Sequence, residues 1–309
     1  MSEGLLTVFD TNNLVIRAHS GMAKSGLKTE GGIATGGLFG CIRVFNSYIQ
    51  KLQPTHIAAF WDFGRSTFRV ALQSDYKGDR PKSSYLEPGE VQDTFRLFEE
   101  YLDLIGVFHH KEAGIEADDL IASCVSDHQD ELPIKVLSAD HDLRQLVRQP
   151  NPYPVTVISP SMSKKQSEKT WTYQSVIDEY KLPPHRLAEV WAVEGDIGDN
   201  IRGVDKYGPI KTLKVLQEYG SLNNAVANHP GFAGHEQKIH QNYRMIKLPS
   251  EVVPENRQEL HEYLFPKTSI NKDLSDFFKR YEFHSLLLKL EFGTLFDSEE
   301  GMKVGLEHL

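Results

Sequence analysis

Ile134-Lys135-Val136-Leu137-Ser138-Ala139-Asp140-His141-Asp142 is a short apolar run that ends on a pair of acids. A helical pattern through Leu143, Leu146 and Val147 follows it. An apolar segment this short, bounded this way, predicts a buried strand. The same signature recurs in both directions along the chain. Leu5-Leu6-Thr7-Val8-Phe9 ends at Asp10, and residues 56–61 end at Asp62. Between these strands the glycine-rich stretch 31–37 leads into a helical pattern through Leu38, Cys41, Ile42, Phe45 and Ile49. Residues 91–105 carry a second helix, and Glu116-Ala117-Asp118-Asp119 opens a third, with Ala117, Leu120, Ile121, Cys124 and Val125 on its apolar face. Strands and helices alternating at this length indicate an α/β fold built on a parallel sheet.

A parallel sheet collects the ends of its strands along one edge, where open α/β folds place their ligands. Acids distant in sequence therefore converge: Asp10, Asp62, Glu116, Asp118, Asp119, Asp140 and Asp142, joined by Asp196 and Asp199 in the turn Gly195-Asp-Ile-Gly-Asp-Asn-Ile-Arg-Gly203. Like charges a few ångströms apart raise each other's pKa, so such a set calls for cations. Hard oxygen ligands favour Mg²⁺ or Mn²⁺, and hydrolysis of a phosphodiester by metal-activated water suits the arrangement. Taken singly, each cluster reads equally well as helix-capping or turn acids. Capping does not explain why two isolated strand-terminal acids and three clusters occur in one α/β pattern.

The 309 residues suffice for one large or two modest domains, and 39% hydrophobic with 25% charged residues describes an ordinary globular protein. No apolar stretch approaches the ~20 residues that span a bilayer, and the acid in Met-Ser-Glu-Gly opposes a signal segment. A cytoplasmic location is expected. Cys41 and Cys124 lie in helical apolar patterns and read as buried thiols, and the lack of a Cys/His cluster argues against structural zinc. His109-His110 reads as surface or strand edge. The formal charge of −9 neither suggests nor excludes a nucleic-acid partner, because the nine acids account for it.

Two basic segments carry the argument for such a partner. Residues 63–85 read as a polar, basic excursion containing Arg65, Arg69 and Tyr76-Lys77-Gly78-Asp79-Arg80, in which Lys77 and Arg80 would share a helix face. They offer cations for a scissile phosphate. Gly203-Val204-Asp205-Lys206-Tyr207-Gly208-Pro209-Ile210-Lys211-Thr212 is a glycine turn opening a helix, whose backbone N–H groups suit a phosphate, with Lys214 beyond. A solvated basic loop and a plain helical hairpin are the corresponding structural readings. Past the proline-rich stretch 150–160 the pattern turns helical, which places a boundary near 170–180, with the later helices on the sheet edge.

Order, spacing and residue type together resemble the 5′ nuclease, or flap endonuclease, superfamily, and in particular the 5′ nuclease domain of bacterial DNA polymerase I and free-standing phage 5′→3′ exonucleases. The likeness runs from Asp10 through Ser66-x-Phe68-Arg69, Tyr76-Lys77-x-x-Arg80, Glu116-Ala-Asp118-Asp119, Ser138-Ala-Asp140-x-Asp142 and Gly195-Asp196-x-x-Asp199-Asn200 to Tyr281-Glu-Phe-His-Ser-Leu. It implies a PIN-like core over residues 1–175 with a helical arch at about 63–112. A helical region, 176–309, would carry a helix-three-turn-helix DNA-binding module at about 186–220.

The resemblance implies a free-standing, monomeric, metal-dependent 5′→3′ exonuclease and 5′-flap endonuclease of DNA replication or repair, in a bacterial or phage-infected cell. Two Mg²⁺, with Mn²⁺ as a substitute, would be held by the nine acids: Asp10, Asp62, Glu116, Asp118 and Asp140 mainly at the first, Asp142, Asp196 and Asp199 at the second, and Asp119 supporting them. Lys77 and Arg80 would engage the scissile phosphate. Arg69, Tyr76, Gly203, Lys206, Gly208, Lys211 and Lys214 would contact DNA with 5′ ends or flaps, RNA–DNA hybrids included, and a K⁺ ion would sit in the 203–212 turn. The turn departs from the family pattern, with Lys206 and Ile210-Lys211 where a second glycine and a small-basic pair are usual. Two other functions fit the residues less well. A catalytically inactive junction-binding relic would lack ligands, and none is missing; a PIN-type ribonuclease would need neither the arch motif nor the 203–212 module.

Overall fold

The computed structural model describes residues 4–22, 24–78, 88–161, 167–251, 258–266 and 272–297. Strand β1 (Leu6–Asp10) is buried along its whole length and lies between two parallel neighbours, β2 (His56–Phe63) and β4 (Ile134–Leu137). A strand covered on both faces reads as a continuous apolar run. The six-stranded order is β3-β2-β1-β4-β5-β6, with β3 at Phe108–Ala113, β5 at Val155–Ser159 and β6 at Lys169–Trp171. The first five strands are parallel and β6 is antiparallel to β5. The strand order reverses between β1 and β4, so the crevice at their carboxyl ends is the natural ligand position.

Helices α1 (Thr11–Met22), α2 (Gly36–Leu52) and α4 (Pro88–Leu104) cover one face, packing on Phe9, Ile57, Ala59 and Trp61. The short α3 (Thr67–Leu72) is capped by Ser66, whose hydroxyl accepts from the Arg69 N–H. On the other face α5 (Ala117–His128) packs on Leu6, Val8, Ala58 and Phe60. The remaining helices are α6 (Tyr173–Tyr180), α7 (Leu187–Glu194), α8 (Pro209–Tyr219), α9 (Leu222–Asn228), α10 (Glu236–Ile246), α11 (Lys272–Arg280) and α12 (His284–Glu291).

The later helices are not confined to the sheet edge. Residues of α7 to α10 join the core of the α5 face, whereas Phe277, Phe278, Leu286 and Leu290 of α11 and α12 join the core of the α2 and α4 face. The sheet ends at Trp171, close to the expected boundary, yet the apolar core runs across it without a break. The helix expected at Leu143–Val147 is a single 3₁₀ turn over Asp142–Leu146, because the chain must turn at once to reach β5. His109-His110 lies on β3, the edge strand. Residues 79–85 of the basic excursion, with Arg80, lie outside the described residues. Among the described residues no helix is long and apolar enough to cross a membrane.

Candidate active site

Asp10 closes β1 and is buried, 5% exposed; it accepts hydrogen bonds from the Ser138 hydroxyl (2.6 Å) and the Asn13 N–H (3.0 Å). Ser138 is the residue after β4, so this bond ties the ends of two adjacent strands together. The same hydroxyl accepts from the Asp140 N–H at 3.0 Å. At the end of β2, Asp62 accepts from the Ala117 N–H (2.8 Å), the first amide of α5. Burial pushes the Asp10 carboxyl up to about 7, against its hydrogen bonds and with help from Asp140 and Asp62. Asp118, in the first turn of α5, is likewise raised by burial and then by Asp140 and Asp10, with Lys77 opposing. Asp10, Asp62, Asp118 and Asp140 thus form one group of mutually repelling acids.

A second group is Asp142, Asp196 and Asp199, whose ligand oxygens lie within 4.8 Å of one another. It depends on a tight hairpin, β7 (Gly195–Asp196) pairing with β8 (Ile201–Arg202). The Asp196 carboxylate accepts from the N–H groups of Gly198 (2.8 Å) and Asp199 (3.3 Å), which folds the turn back on itself. A Cβ on Gly203 would lie 2.0 Å from the Glu194 carbonyl oxygen, so only glycine lets the hairpin close against the end of α7. Asp142 is raised first by burial and then by Asp140, Asp196 and Asp199, and its buried Oδ1 has no hydrogen-bond partner. Asp140 is the acid felt by both groups. Asp118 and Asp140 of the first group and all three acids of the second line a cavity of about 170 Å³, together with His141. Oxygen donors held this close, with one buried oxygen taking no hydrogen bond, fit divalent cations.

Raised carboxyls have a thermodynamic consequence. The folded pKa of Asp10 lies above its unfolded value, so its contribution to stability is fully present below about pH 4 and lost as pH rises through about 7. Cation-free protein is expected to lose thermal stability across that interval, and Asp10→Asn is expected to flatten the loss. A Tm difference between the two proteins that stays constant with pH would remove Asp10 as its cause.

Lys77, Arg69 and Tyr76 supply the opposite charge and the donors. Lys77 adopts a left-handed backbone (φ 54°), and its N–H donates to the Asp199 carbonyl (3.1 Å). Nζ then sits 2.5 Å from Glu116 and 3.7 Å from Asp199. Burial opposes its charge, but these acids prevail and hold the ammonium above its usual range. The left-handed conformation costs a non-glycine residue roughly 1–2 kcal/mol, which the ion pairs offset.

Arg69 and Tyr76, expected to contact DNA, are buried, each 3% exposed, and line the acid cavity. Arg69 pairs with both Asp119 oxygens and with Glu116, and its Nε donates to the Met245 carbonyl (2.7 Å). The Tyr76 hydroxyl lies 3.1 Å from Glu116 and 2.9 Å from Asp199. Asp119, expected to support the cations, has its oxygens taken by Arg69 and by the Ser250 N–H (2.7 Å). Glu116 is likewise engaged by Lys77, Arg69 and Tyr76. Arg69→Ala would strand Asp119 as a buried unpaired charge, and a loss of about 3–5 kcal/mol is expected. An unfolding free energy from urea denaturation within ~0.5 kcal/mol of wild type would mean that Asp119 finds water or another partner.

The other basic segment lies beside the second acid group. Lys206, left-handed at φ 68°, is exposed, as are Gly208, Lys211 and Lys214. Pro209 opens α8, and Lys211 places Nζ 3.7 Å over the Tyr207 ring. A concavity of about 700 Å³ here is also lined by Arg202 and Lys238, the latter donating to the Gly203 carbonyl (2.6 Å). Lys238 lies in none of the sequence motifs, and Arg202 and His141 lie within two of them without being singled out by residue type. The His141 imidazole projects among Asp140, Asp142 and Asp196.

Fold and site together define an α/β protein that gathers carboxylates suited to divalent cations at the carboxyl edge of a parallel sheet, with a lysine against them. Residues 5–181 match the family model for the 5′-3′ exonuclease N-terminal resolvase-like domain, and the chain belongs to that family. It is 33% identical over 225 residues to DNA polymerase I of Mycobacterium tuberculosis, covering 72% of this chain and 24% of the relative. The chain therefore spans about a quarter of the length of such polymerase relatives. It is also 28% identical over 292 residues to a 5′-3′ exonuclease of Aquifex aeolicus, covering 93% of this chain and 95% of that one. Among solved structures, the fold is similar to T5 5′-exonuclease with bound zinc (TM-score 0.64, 19% identity, 79% of this chain and 90% of that one). It is also similar to the catalytic core of Rad2 in complex with DNA substrate (TM-score 0.57, 13% identity, 93% and 92%).

Proposed function

We propose that this chain is a 5′→3′ exonuclease and 5′-flap endonuclease that hydrolyses DNA phosphodiesters with two Mg²⁺ ions, Mn²⁺ serving as a substitute. The observation that carries the reading is the pairing of two carboxylate groups, joined through Asp140, with the half-buried ammonium of Lys77. Asp10, Asp62, Asp118 and Asp140 would hold one cation, and Asp142, Asp196 and Asp199 the other. When bound, the cations activate water and neutralise charge on the departing oxygen. Lys77 holds the scissile phosphate and offsets the charge of its transition state. Water adds to phosphorus as the bond to the 3′ oxygen breaks, leaving a 5′-phosphate and a 3′-hydroxyl. Support comes also from the relative named a 5′-3′ exonuclease over nearly its full length.

The duplex would lie on the 203–212 turn, gripped through its backbone by Lys206, Lys211 and the following Lys214 and by the N–H groups at the start of α8. A K⁺ ion would bind in this turn between protein and DNA, and a monomer would suffice. Lys211→Ala is expected to weaken binding to duplex-containing substrates and to reduce the salt slope by roughly one charge. Unchanged affinity and slope would make the turn a structural hairpin only. The reading as a whole is tested by a Mg²⁺-dependent assay on 5′-flap, nicked, blunt, single-stranded and RNA–DNA hybrid substrates. Release of 5′ products from flaps and nicks is expected. Cleavage of single-stranded RNA alone, or none in either metal, would overturn it.

A further inference from the structure

We infer that His141 is a nitrogen ligand of the second cation, which makes that site favour Mn²⁺, Co²⁺ or Zn²⁺ over Mg²⁺ more strongly than an all-oxygen site would. The inference rests on the two-cation reading above. The His141 Nε2 lies 3.3 Å from Asp142 Oδ1 and 3.8 Å from Asp196 Oδ2. Two donors on one ion, each at about 2.1 Å, stand roughly 3 Å apart. A charge-assisted bond between imidazolium and carboxylate closes to about 2.7–2.9 Å. None of the three acids around this ring does so, and Asp142 Oδ1 is buried without a hydrogen-bond partner. The spacing is that of donors arranged around a shared ion.

The other side of the ring supports the same assignment. Nδ1 faces Asp140 Oδ1 at 3.8 Å, on the side where a carboxylate orients a ligating imidazole and raises its basicity. The ring stands edge-on to Trp191, with centroids 4.8 Å apart and planes at 88°, and Trp191 is buried in α7. That wall holds Nε2 toward the hairpin that carries Asp196. Imidazole suits Zn²⁺ and the later first-row metals best, Mn²⁺ takes it alongside oxygen ligands, and Mg²⁺ prefers oxygen and keeps its water. The remaining ligands stay oxygen, so Mg²⁺ would still bind.

Pulsed EPR of the wild-type protein titrated with Mn²⁺, alongside calorimetry, tests this without relying on turnover. Two bound Mn²⁺ with imidazole ¹⁴N coupling are expected. In His141→Gln the coupling should vanish, and Mn²⁺ affinity at one site should fall about 10-fold or more, with Mg²⁺ affinity changing less. Two Mn²⁺ bound to wild type without nitrogen coupling would overturn the role of His141 and leave the two-cation reading intact. Failure to bind Mn²⁺ at all would remove that reading, and the inference with it. Coupling that persists in His141→Gln would assign the nitrogen to another histidine and also overturn it.

Discussion

Asp140→Asn should lower cleavage by ~10³-fold or more, about 4 kcal/mol of lost transition-state stabilisation, while making the cation-free protein more stable. Both effects have one origin. Asp140 raises the carboxyls of Asp10 and Asp118 on one side and Asp142 on the other, so its charge is the link between the two groups. Asparagine keeps the oxygen that accepts the Asp142 N–H at 3.0 Å, so the local turn survives. Without cations, removing this charge relieves repulsion, and Tm should rise. DNA binding in Ca²⁺ should persist or strengthen, because fewer acids repel phosphate. Near wild-type cleavage by the variant would take Asp140 out of the ligand set, and a fall in cation-free Tm would show that its charge is compensated in the folded protein.

Lys77→Ala should reduce turnover by more than ~100-fold, the scale of losing one placed electrostatic stabiliser. The fold should tolerate it, since Glu116 keeps its contacts to Arg69 (2.9 Å) and to the Tyr76 hydroxyl (3.1 Å). The loss should fall on kcat, because Nζ lies inside the acid site and not on the outer basic turn. If the loss is in affinity and lower salt restores it, Lys77 is a general backbone contact.

The strand-terminal acids are legible in the amino-acid sequence for a simple reason. A strand buried on both faces needs a continuous apolar run, and a charge at its end has to mark an edge of the sheet. Leu6–Asp10, Ile134–Leu137 and their acids follow that rule. The rule fails for β3, whose His109-His110-Lys111-Glu112 sequence suits an edge strand with few burial demands. It also fails for α1, whose polar Thr11, Asn12 and Asn13 hide a helix that buries Leu14, Val15 and Ala18.

Local periodicity and residue type are properties of neighbours along the chain, so the order of strands, helices and acids is written in the sequence alone. The partner that each charge meets is a property of packing. Asp119 follows Asp118 directly, yet one faces Arg69, 50 positions away, and Ser250, 131 positions away, while the other faces the acid cavity. Successive side chains on a helix point about 100° apart, so adjacent carboxylates enter different environments and take on different work. Arg69 and Tyr76 are drawn inward by acids and carbonyls far along the chain, and His141 gains Asp196 as a neighbour only when the hairpin after α7 brings it there.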